Sequence, residues 1–237
     1  MKIGIAGAGG IGSNVARHLA QAGTSHLLLV DFDVVAPDNL NRQFYSMDQI
    51  GRLKVDCLKQ NLQSIHPGMR VDTLVQRLVP DTMARIFSDC DVVVEGLDDP
   101  TAKKQLAETL ADAGIPVVSA SGIAGYATDT ITTRKIGNCH IVGDFSTDIA
   151  HAPLFPPKIA LIAARMAQIV LELKKPVFPT GIYGILGEAF SLPRPRRHRP
   201  RRTEPITSGS GRCLPPKPKK MCAMPWGLNI WNMSQQM

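Results

Sequence analysis

An α/β fold, with a mainly parallel β-sheet flanked by helices, is predicted by three features of the sequence. Short apolar runs rich in β-branched residues alternate with longer helical patterns. The first run leads directly into a cluster of glycines. The second, Leu27–Asp31, is apolar up to its last residue, as expected of a strand that is buried on both faces of its sheet.

Local signals mark the other early elements. The glycines after the strand Lys2–Ala6 open a helix that ends near Ala22, where another glycine follows. Lys54–His66 has apolar residues at helical spacing and stops before a proline. The pair Asp99-Pro100 begins a helix that continues to about Ala113, since an acid caps it and proline suits its first turn. The remaining predicted elements are the strands Val71–Val75, Asp91–Glu95 and Val117–Ala120 and the short helix Pro80–Ser88.

The pattern changes after the fifth strand. Thr128–Arg134 and Cys139–Val142 are predicted to be antiparallel strands around a turn at Gly137-Asn138. A helix over Pro157–Leu173 follows, with an apolar face typical of burial. The expected fold is therefore a mainly parallel sheet flanked by helices, with later antiparallel strands.

Composition divides the chain near residue 191. Residues 191–237 contain ten lysines and arginines and one acidic residue. Residues 1–190 contain 17 lysines and arginines and 19 acidic residues. From Leu192 onwards the chain also holds eight of the 18 prolines and has little apolar periodicity. We expect a folded domain over residues 1–190 and a disordered, basic Pro/Arg-rich tail over residues 191–237. Basic clusters attract the phosphates of nucleic acids, but a disordered extension explains this composition, and no nucleic-acid partner is expected.

The sequence also argues against several classes of protein. No run of about 18 apolar residues could span a membrane, and the N-terminus has no secretory signal. The five cysteines are widely spaced and form no Cys-x-x-Cys pair, which argues against a disulfide framework and a four-cysteine zinc site. We expect a cytoplasmic protein without zinc, in which Cys57 and Cys90 are structural and Cys139 is unreactive.

The glycine cluster forms a phosphate-binding motif. Gly7, Gly9 and Gly12 have the spacing Gly-x-Gly-x-x-Gly, with Gly10 inside it, between a strand and a helix. The backbone N–H groups of such a turn bind phosphate, aided by the partial positive charge of the helix N-terminus. Asp31, at the end of the second strand, is placed to accept hydrogen bonds from ribose hydroxyls. NAD, FAD and ATP sites share this arrangement, which predicts a Rossmann-like fold and leaves the nucleotide open.

The polar loop from Phe32 to about Gly51, together with Lys54, favours a triphosphate. Asn39 and Arg42 lie in this loop, within 16 residues of Lys54. An arginine fork and a lysine point charge neutralise phosphates in phosphoryl or nucleotidyl transfer, and a dehydrogenase does not need them.

Two acids follow the fourth strand, at the edge where open α/β sheets bind ligands. We expect Asp98 to hold Mg²⁺ between phosphate oxygens and Asp99 to cap the next helix. Asp33, two residues beyond the ribose acid, is expected to cap its own loop.

These motifs occur in an order that resembles a known family. They are the glycine loop, Leu29–Asp33, Asn39–Gln43, the stretch from Gly51 to Lys54, and Asp98. Together they resemble the ThiF/MoeB/HesA adenylyltransferases of the ubiquitin-activating-enzyme-like superfamily over about residues 2–175. Ser119–Tyr126 and Val142–Asp148 are most similar to the shorter "family 2" ThiF proteins of thiamine biosynthesis.

The resemblance implies a Rossmann-like ATP-binding fold and an enzyme that uses ATP and Mg²⁺. Its reaction would be adenylylation of the C-terminal Gly-Gly carboxylate of a ubiquitin-like sulfur carrier protein, which makes it a nucleotidyltransferase. It would act as a homodimer, away from membranes. The implied catalytic residues are Arg42, Lys54 and Asp98, with Asp98 as the metal ligand. The implied nucleotide-binding residues are Gly7, Gly9, Gly10, Gly12, Asp31, Asn39, Arg42 and Lys54.

Two other functions stay open at this point. One is an NAD(P)- or FAD-dependent oxidoreductase that uses the same glycine loop. The other is a non-catalytic module that binds a nucleotide or the carrier protein. Competitive binding of ATP and NAD, with and without Mg²⁺, separates the first of these from adenylyl transfer.

Overall fold

A seven-stranded β-sheet organises residues 1–173, the part of the chain that the computed structural model describes. Its strands are β1 (Lys2–Ala6), β2 (His26–Val30), β3 (Arg70–Leu74), β4 (Val92–Glu95), β5 (Val117–Ala120), β6 (Thr132–Ile136) and β7 (Cys139–Gly143). The order across the sheet is β3-β2-β1-β4-β5-β7-β6. All neighbouring strands are parallel except β6 and β7, which confirms the predicted α/β fold.

Helices cover both faces of the sheet. They are α1 (Gly10–Gln21), α2 (Lys54–Ile65), α3 (Pro80–Ile86), α4 (Pro100–Asp112) and α5 (Pro156–Glu172). The apolar core on one face contains buried side chains of α1, α2 and α5. The core on the other face contains those of α3 and α4. Single 3₁₀ turns, Pro37–Asn39 and Met47–Gln49, lie in the long polar loop after β2.

The last two strands are antiparallel to each other, as predicted, but β6 starts later than the sequence indicated. The turn at Gly137-Asn138 pairs Ile136 with Cys139, and this register continues until Thr132 lies opposite Gly143. Because β7 ends at Gly143, the predicted strand residues before Thr132 have no partner there. β7 also pairs parallel with β5, a direction that the two-residue periodicity of a strand cannot encode.

The parallel strands place their carboxyl ends along one edge of the sheet. The chain moves outward from β1 to β2 and β3 on one side, and from β4 to β5 and β7 on the other. The order therefore reverses between β1 and β4, where open α/β sheets bind their ligands. The glycine turn after β1, Asp31 after β2 and Asp98 after β4 all lie at this edge.

The predicted domain end at residue 190 and the predicted tail over residues 191–237 fall outside the described residues. Both therefore stay predictions. Within residues 1–173, no helix combines the length and the apolar character needed to cross a membrane.

Candidate active site

Backbone contacts around the turn after β1 require glycine at two positions. Gly7 has a φ of +90°, and a Cβ there would lie 2.7 Å from the carbonyl oxygen of Gly96. A Cβ on Gly12 would overlap the carbonyl oxygen of Gly7. The fold itself therefore accounts for Gly7 and Gly12, because any side chain would separate α1 from the turns after β1 and β4.

Gly9 and Gly10 are different, because the packing of the protein does not require them. A Cβ on Gly9 would have its nearest neighbour 3.9 Å away, and one on Gly10 would lie 3.7 Å from Cγ2 of Ile159. Both distances are ordinary van der Waals contacts, and Gly9 has a φ of −80°, which other residues adopt. The backbone at the N-terminus of α1 is thus left open, as the approach of a phosphate to its N–H groups requires.

We expect Gly9→Ala to weaken ATP binding about tenfold, equivalent to about 1.4 kcal/mol, without lowering stability. The added methyl group has room within the protein but would stand between the N–H groups of α1 and a phosphate. Titration calorimetry with ATP and thermal unfolding measure the two effects. Gly68→Ala, in the turn between α2 and β3, is the control and should change neither; unaltered ATP affinity in Gly9→Ala would contradict the prediction.

Asp31 connects the end of β2 with the glycine turn. Its Oδ2 accepts a hydrogen bond from the N–H of Ala8 at 2.6 Å, and its Oδ1 accepts one from the N–H of Asp33 at 2.7 Å. The hydroxyl of Tyr45 donates to the carbonyl of Ala8 at 2.7 Å. Burial, and to a smaller extent the nearby Asp31 carboxylate, raises the pKa of Tyr45, so that its phenol remains a donor. Asp31 is thereby fixed beside the turn, where a ribose attached to the bound phosphates would lie.

The segment Asn39–Gln43 packs on the first turn of α1. The Nδ2 of Asn14 donates to the carbonyl of Gly10 at 2.7 Å and to that of Arg42 at 2.8 Å. The N–H of Phe44 donates to the hydroxyl of Ser13 at 3.1 Å. These bonds bring Arg42 next to the phosphate-binding turn, with its Cγ 3.8 Å from a Cβ built on Gly10. The roles of Ser13, Asn14 and Tyr45 could not be predicted from the sequence, because nothing in their spacing indicates a partner in the loop or the turn.

The two predicted residues of this segment have different roles. Asn39 is buried, its Oδ1 accepts a hydrogen bond from the N–H of Ala36 at 3.2 Å, and its Nδ2 donates to Oδ1 of Asp38 at 3.2 Å. The half-buried Arg42 donates from Nη1 to the carbonyl of Asp38 at 2.7 Å and to Oδ1 of Asn41 at 2.9 Å. Asn39 therefore shapes the loop, and Arg42 places its aliphatic stem beside Gly10 while its guanidinium group is held by Asp38 and Asn41 of the same loop.

Lys54, the first residue of α2, is buried and forms an ion pair with Asp33. Its Nζ lies 2.8 Å from Oδ2 of Asp33, and the exposed fractions of the two side chains are 8% and 46%. The N–H of Lys54 also donates to the carbonyl of Asp33 at 2.9 Å. The prediction that Asp33 caps its own loop is therefore wrong, because the long loop returns to α2 and places Lys54 against this carboxylate.

A buried network fixes the turn after β4. Glu95 is fully buried and accepts hydrogen bonds from the N–H of Leu97 at 2.6 Å and the hydroxyl of Ser119 at 2.7 Å. The Nζ of Lys103 completes an ion pair with it at 3.1 Å. The sequence does not indicate this network, which fixes the turn from which the chain continues to Asp98.

Two acids follow this turn, and the predicted capping role of one of them, Asp99, is confirmed. Asp99 caps α4, since its carboxylate accepts hydrogen bonds from the N–H groups of Thr101 and Ala102 at 3.1 and 3.2 Å. Asp98 is exposed at the carboxyl end of β4. No cluster of three or more His, Cys, Asp or Glu side chains among residues 1–173 could hold a metal ion by itself. A single carboxylate does fit Mg²⁺ bound mainly through phosphate oxygens and water.

A buried ion pair joins the turns after β5 and β7 to α5. The Nζ of Lys158 lies 2.6 Å from Oδ2 of Asp144, and the exposed fractions of the two side chains are 0% and 3%. Lys158 also donates to the carbonyl of Ala124 in the turn after β5. Burial by itself would raise the pKa of Asp144, but hydrogen bonds from Lys158 and from the N–H groups of Thr147 and Ser146 hold it well below its usual range. The next residue, Ile159, lies near the phosphate turn, with its Cγ2 3.7 Å from where a Cβ on Gly10 would be.

The three described cysteines lie in α2 (Cys57), just before β4 (Cys90) and at the start of β7 (Cys139). Burial raises the pKa of the Cys57, Cys90 and Cys139 thiols, that of Cys90 to about 12. Burial thus favours the protonated thiol at all three positions, a state in which cysteine is a weak nucleophile.

Relatives of known name share this part of the chain. A model of the ThiF family matches residues 1–173. The protein named adenylyltransferase and sulfurtransferase UBA4 from Candida glabrata is 34% identical over 141 residues, 59% of this chain and 33% of that protein. The UBA4 of Saccharomyces cerevisiae S288c is 32% identical over 181 residues, 73% of this chain and 41% of that protein. The chain thus spans about a third to two fifths of the length of these relatives.

Solved structures share the fold. Escherichia coli tRNA N6-threonylcarbamoyladenosine dehydratase, TcdA, in complex with AMP has a TM-score of 0.65 at 21% identity, over 72% of this chain and 86% of that one. E. coli MccB with MccA has a TM-score of 0.59 at 22% identity, over 75% of this chain and 58% of that one. At such identities the likeness concerns the fold, which is Rossmann-like as predicted.

Proposed function

The chain belongs to the ThiF family, and from this we propose that it is an ATP-dependent adenylyltransferase for the C-terminal carboxylate of a ubiquitin-like sulfur carrier protein. One observation carries the proposal beyond family membership. The Asn39–Gln43 segment is bonded to the first turn of α1, so that Arg42 lies beside the open backbone of Gly10. An arginine whose stem lies beside the phosphate-binding turn can bring its charge to a bound phosphate, and this suits a triphosphate better than the diphosphate of a nicotinamide or flavin cofactor.

In this proposal the nucleotide lies across the carboxyl edge of the sheet. The N–H groups at Gly9 and Gly10 bind phosphate, Asp31 binds the ribose, and Arg42 and Lys54 neutralise the phosphates. Lys54 is held for this by Asp33 at 2.8 Å. Gly7 and Gly12 keep the turn in place, and Asn39 keeps Arg42 in its loop.

The reaction requires no proton transfer by the protein. The carrier carboxylate is ionised near neutral pH, and one of its oxygens forms a bond to the α-phosphorus of ATP. The bond from that phosphorus to the bridging oxygen breaks, and pyrophosphate leaves with its electron pair. Placement of the reactants and neutralisation of the developing charge are then the main contributions of the protein.

Asp98 is the residue that would hold Mg²⁺ in this site. The ion would supply further neutralisation of phosphate oxygens. Asp98 follows Gly96 by two residues, and a Cβ on Gly96 would lie 2.9 Å from the nitrogen of Gly12 and 3.0 Å from the carbonyl oxygen of Gly7. This proximity to the phosphate-binding turn supports Asp98 as the ligand.

We expect Asp98→Ala to raise the Mg²⁺ concentration for half-maximal activity by about tenfold or more, because a carboxylate ligand is lost. The adjacent Asp99→Ala is the matched control. It should leave the Mg²⁺ dependence unchanged and lower stability by about 1 kcal/mol through loss of the helix cap. Titration of activity with Mg²⁺ and thermal unfolding of both variants measure this. Equal Mg²⁺ dependence in the two variants would remove Asp98 from the metal site.

The identity of the carrier is the finer part of the proposal. Ser119–Tyr126 and Val142–Asp148 favour the carrier of thiamine biosynthesis, and the names of the relatives above specify adenylyl and sulfur transfer without naming that pathway. The proposed enzyme is a homodimer, which light scattering of the full chain measures directly.

Release of pyrophosphate tests the function. The full chain, MgATP and a Gly-Gly-terminated carrier of ubiquitin-like fold should release pyrophosphate and form an adenylylated carrier detectable by mass spectrometry. The same carrier without its last two glycines is the negative control. ATP binding without transfer to any such carrier would favour the non-catalytic module. Binding of NAD in preference to MgATP would favour the oxidoreductase.

A further inference from the structure

A fully buried carboxylate lies three residues before Asp98. Glu95 is the last residue of β4, and none of its side chain is exposed. Its Oε1 accepts a hydrogen bond from the N–H of Leu97 at 2.6 Å, and the N–H of Gly96 donates to the carbonyl of Ala6 at 2.8 Å. Both N–H groups of this turn are therefore bonded, so the backbone that leads into Asp98 has a fixed direction.

Two donors from other elements hold the same carboxylate. The hydroxyl of Ser119, in β5, donates to Oε2 of Glu95 at 2.7 Å. The Nζ of Lys103, in α4, lies 3.1 Å from this oxygen and forms an ion pair with it. One oxygen of Glu95 therefore bonds the turn before Asp98, and the other bonds the neighbouring strand and helix.

The stability of the fold gives little reason for a charged pair at this position. Lys103 is the fourth residue of α4, close to the helix N-terminus, where the helix dipole disfavours a positive charge. Replacing a buried ion pair by apolar residues of similar volume is also often neutral or stabilising. A role in the adjacent ligand site explains the pair better.

The charge of Lys103 suits a site for phosphates. The turn after β4 lies against the phosphate-binding turn through Gly96. An unpaired carboxylate of Glu95 at this place would repel the phosphates of a nucleotide. Lys103 compensates that charge, and Asp99 caps α4, so that among residues 95–99 the exposed carboxylate of Asp98 is left for a metal ion.

We propose that Glu95 is a positioning residue that sets the affinity of the site for Mg²⁺ through Asp98; the inference rests on the nucleotide site of the proposed function. Lys103 and Ser119 hold the Glu95 carboxylate, which in turn holds the N–H of Leu97. Replacing a residue that keeps a metal ligand in place typically lowers metal affinity by about 10- to 100-fold.

The Mg²⁺ dependence of ATP binding to the full chain tests the proposal by titration calorimetry. Glu95→Gln keeps the shape of the side chain, but its NH₂ group cannot accept the bonds from Lys103 and Ser119. The Mg²⁺ concentration that gives half of the gain in ATP affinity should rise about tenfold. ATP binding in EDTA should be no weaker than in the wild type, which a general loss of structure in the site would not allow.

Further variants separate charge from packing. Lys103→Arg keeps the positive charge and should keep the wild-type Mg²⁺ dependence. The double variant Glu95→Gln/Lys103→Met has no unpaired buried charge, so it should stay folded and show the same tenfold rise as Glu95→Gln. Lys104→Met is the matched control, because this neighbouring lysine pairs at 3.8 Å with Glu108 and both side chains are largely exposed. It should keep the wild-type Mg²⁺ dependence, and thermal unfolding verifies that each variant is folded.

A double-mutant cycle with Asp98→Ala tests whether Glu95 acts through Asp98. When Asp98 is absent, Glu95→Gln should raise the required Mg²⁺ concentration no further. An additive rise would overturn the inference, as would wild-type Mg²⁺ dependence in Glu95→Gln or weaker ATP binding by this variant in EDTA.

None of these measurements needs a carrier protein. The expected Mg²⁺ effects without pyrophosphate release would overturn the proposed function and support the role of Glu95. Pyrophosphate release with unchanged Mg²⁺ dependence in Glu95→Gln would support the function and overturn that role.

Discussion

Lys54→Met is expected to reduce carrier-dependent pyrophosphate release by about 100-fold or more while the protein stays folded. The size follows from the loss of one preorganised charge opposite the developing phosphate charge. Lys54 is buried and its Nζ is held 2.8 Å from Oδ2 of Asp33, so its charge is fixed in position before a substrate binds. The partner carboxylate is 46% exposed, and water can solvate it after the substitution. Thermal unfolding should therefore change little.

Two comparison variants make this prediction specific. Lys59→Met removes a charge from the same helix at a residue outside the proposed site, and should keep wild-type turnover. Asp33→Asn keeps Lys54 but removes its ionic partner, and should give a smaller loss than Lys54→Met. Wild-type turnover in Lys54→Met would remove Lys54 from the mechanism and leave it as a structural residue of α2.

Lys158→Met is expected to lower the free energy of unfolding by about 3–5 kcal/mol, because it leaves the Asp144 carboxylate buried without its ionic partner. Both side chains are almost completely excluded from water. Lys2→Met is the matched control: its pair with Asp89 has the same 2.6 Å length, but 65% of the Asp89 side chain is exposed. Such a pair contributes about 0–1 kcal/mol. Urea unfolding of both variants measures how much stability is lost when an ion pair of the same length is removed from a buried site and from an exposed one.

The double variant Asp144→Asn/Lys158→Met tests the cause. It has no unpaired buried charge, so it should recover more than half of the stability lost in Lys158→Met. A double variant as unstable as the single one would show that Lys158 contributes through packing instead of charge.

The same ion pair should make the stability of the fold decrease at acidic pH. The pKa of Asp144 is lower in the folded chain than its ordinary value of about 3.9, because Lys158 and the N–H groups of Thr147 and Ser146 stabilise the carboxylate. The stabilisation is therefore present above about pH 4 and is lost as the pH falls below it. The stability difference between the wild type and the double variant should shrink over that acidic range, and a constant difference would contradict this origin.

Features set by neighbouring residues could be predicted from the sequence. The glycine turn, Asp31 at the end of β2 and the cap by Asp99 each depend on a motif of a few consecutive residues. Their geometry is imposed locally, by a turn that admits no Cβ or by a side chain that reaches N–H groups two and three residues ahead. The structure places all three at the carboxyl edge of the sheet.

The side-chain pairs around the site could not be predicted in the same way. Lys54 lies 21 residues from Asp33, and Lys158 lies 14 residues from Asp144. Ser119 lies 24 residues from Glu95. Each partner is brought into place where a loop or helix folds back on an earlier part of the chain. The periodicity of apolar residues indicates which side chains are buried, but it does not indicate which residues they contact. The parallel pairing of β7 with β5 could not be predicted for the same reason.

The close approach of Gly7, Gly12 and Gly96 has a consequence for the thermodynamics of ligand binding. The turns after β1 and β4 touch through backbone atoms, and the N–H of Gly96 donates to the carbonyl of Ala6 at 2.8 Å. No rotamer change can alter the spacing between these turns, because no side chain separates them. The conformational entropy of arranging them is lost when the chain folds, before any nucleotide arrives. Binding then has to restrict the ligand and a few surface side chains, and the affinity of the site depends on how well this fixed spacing matches the nucleotide.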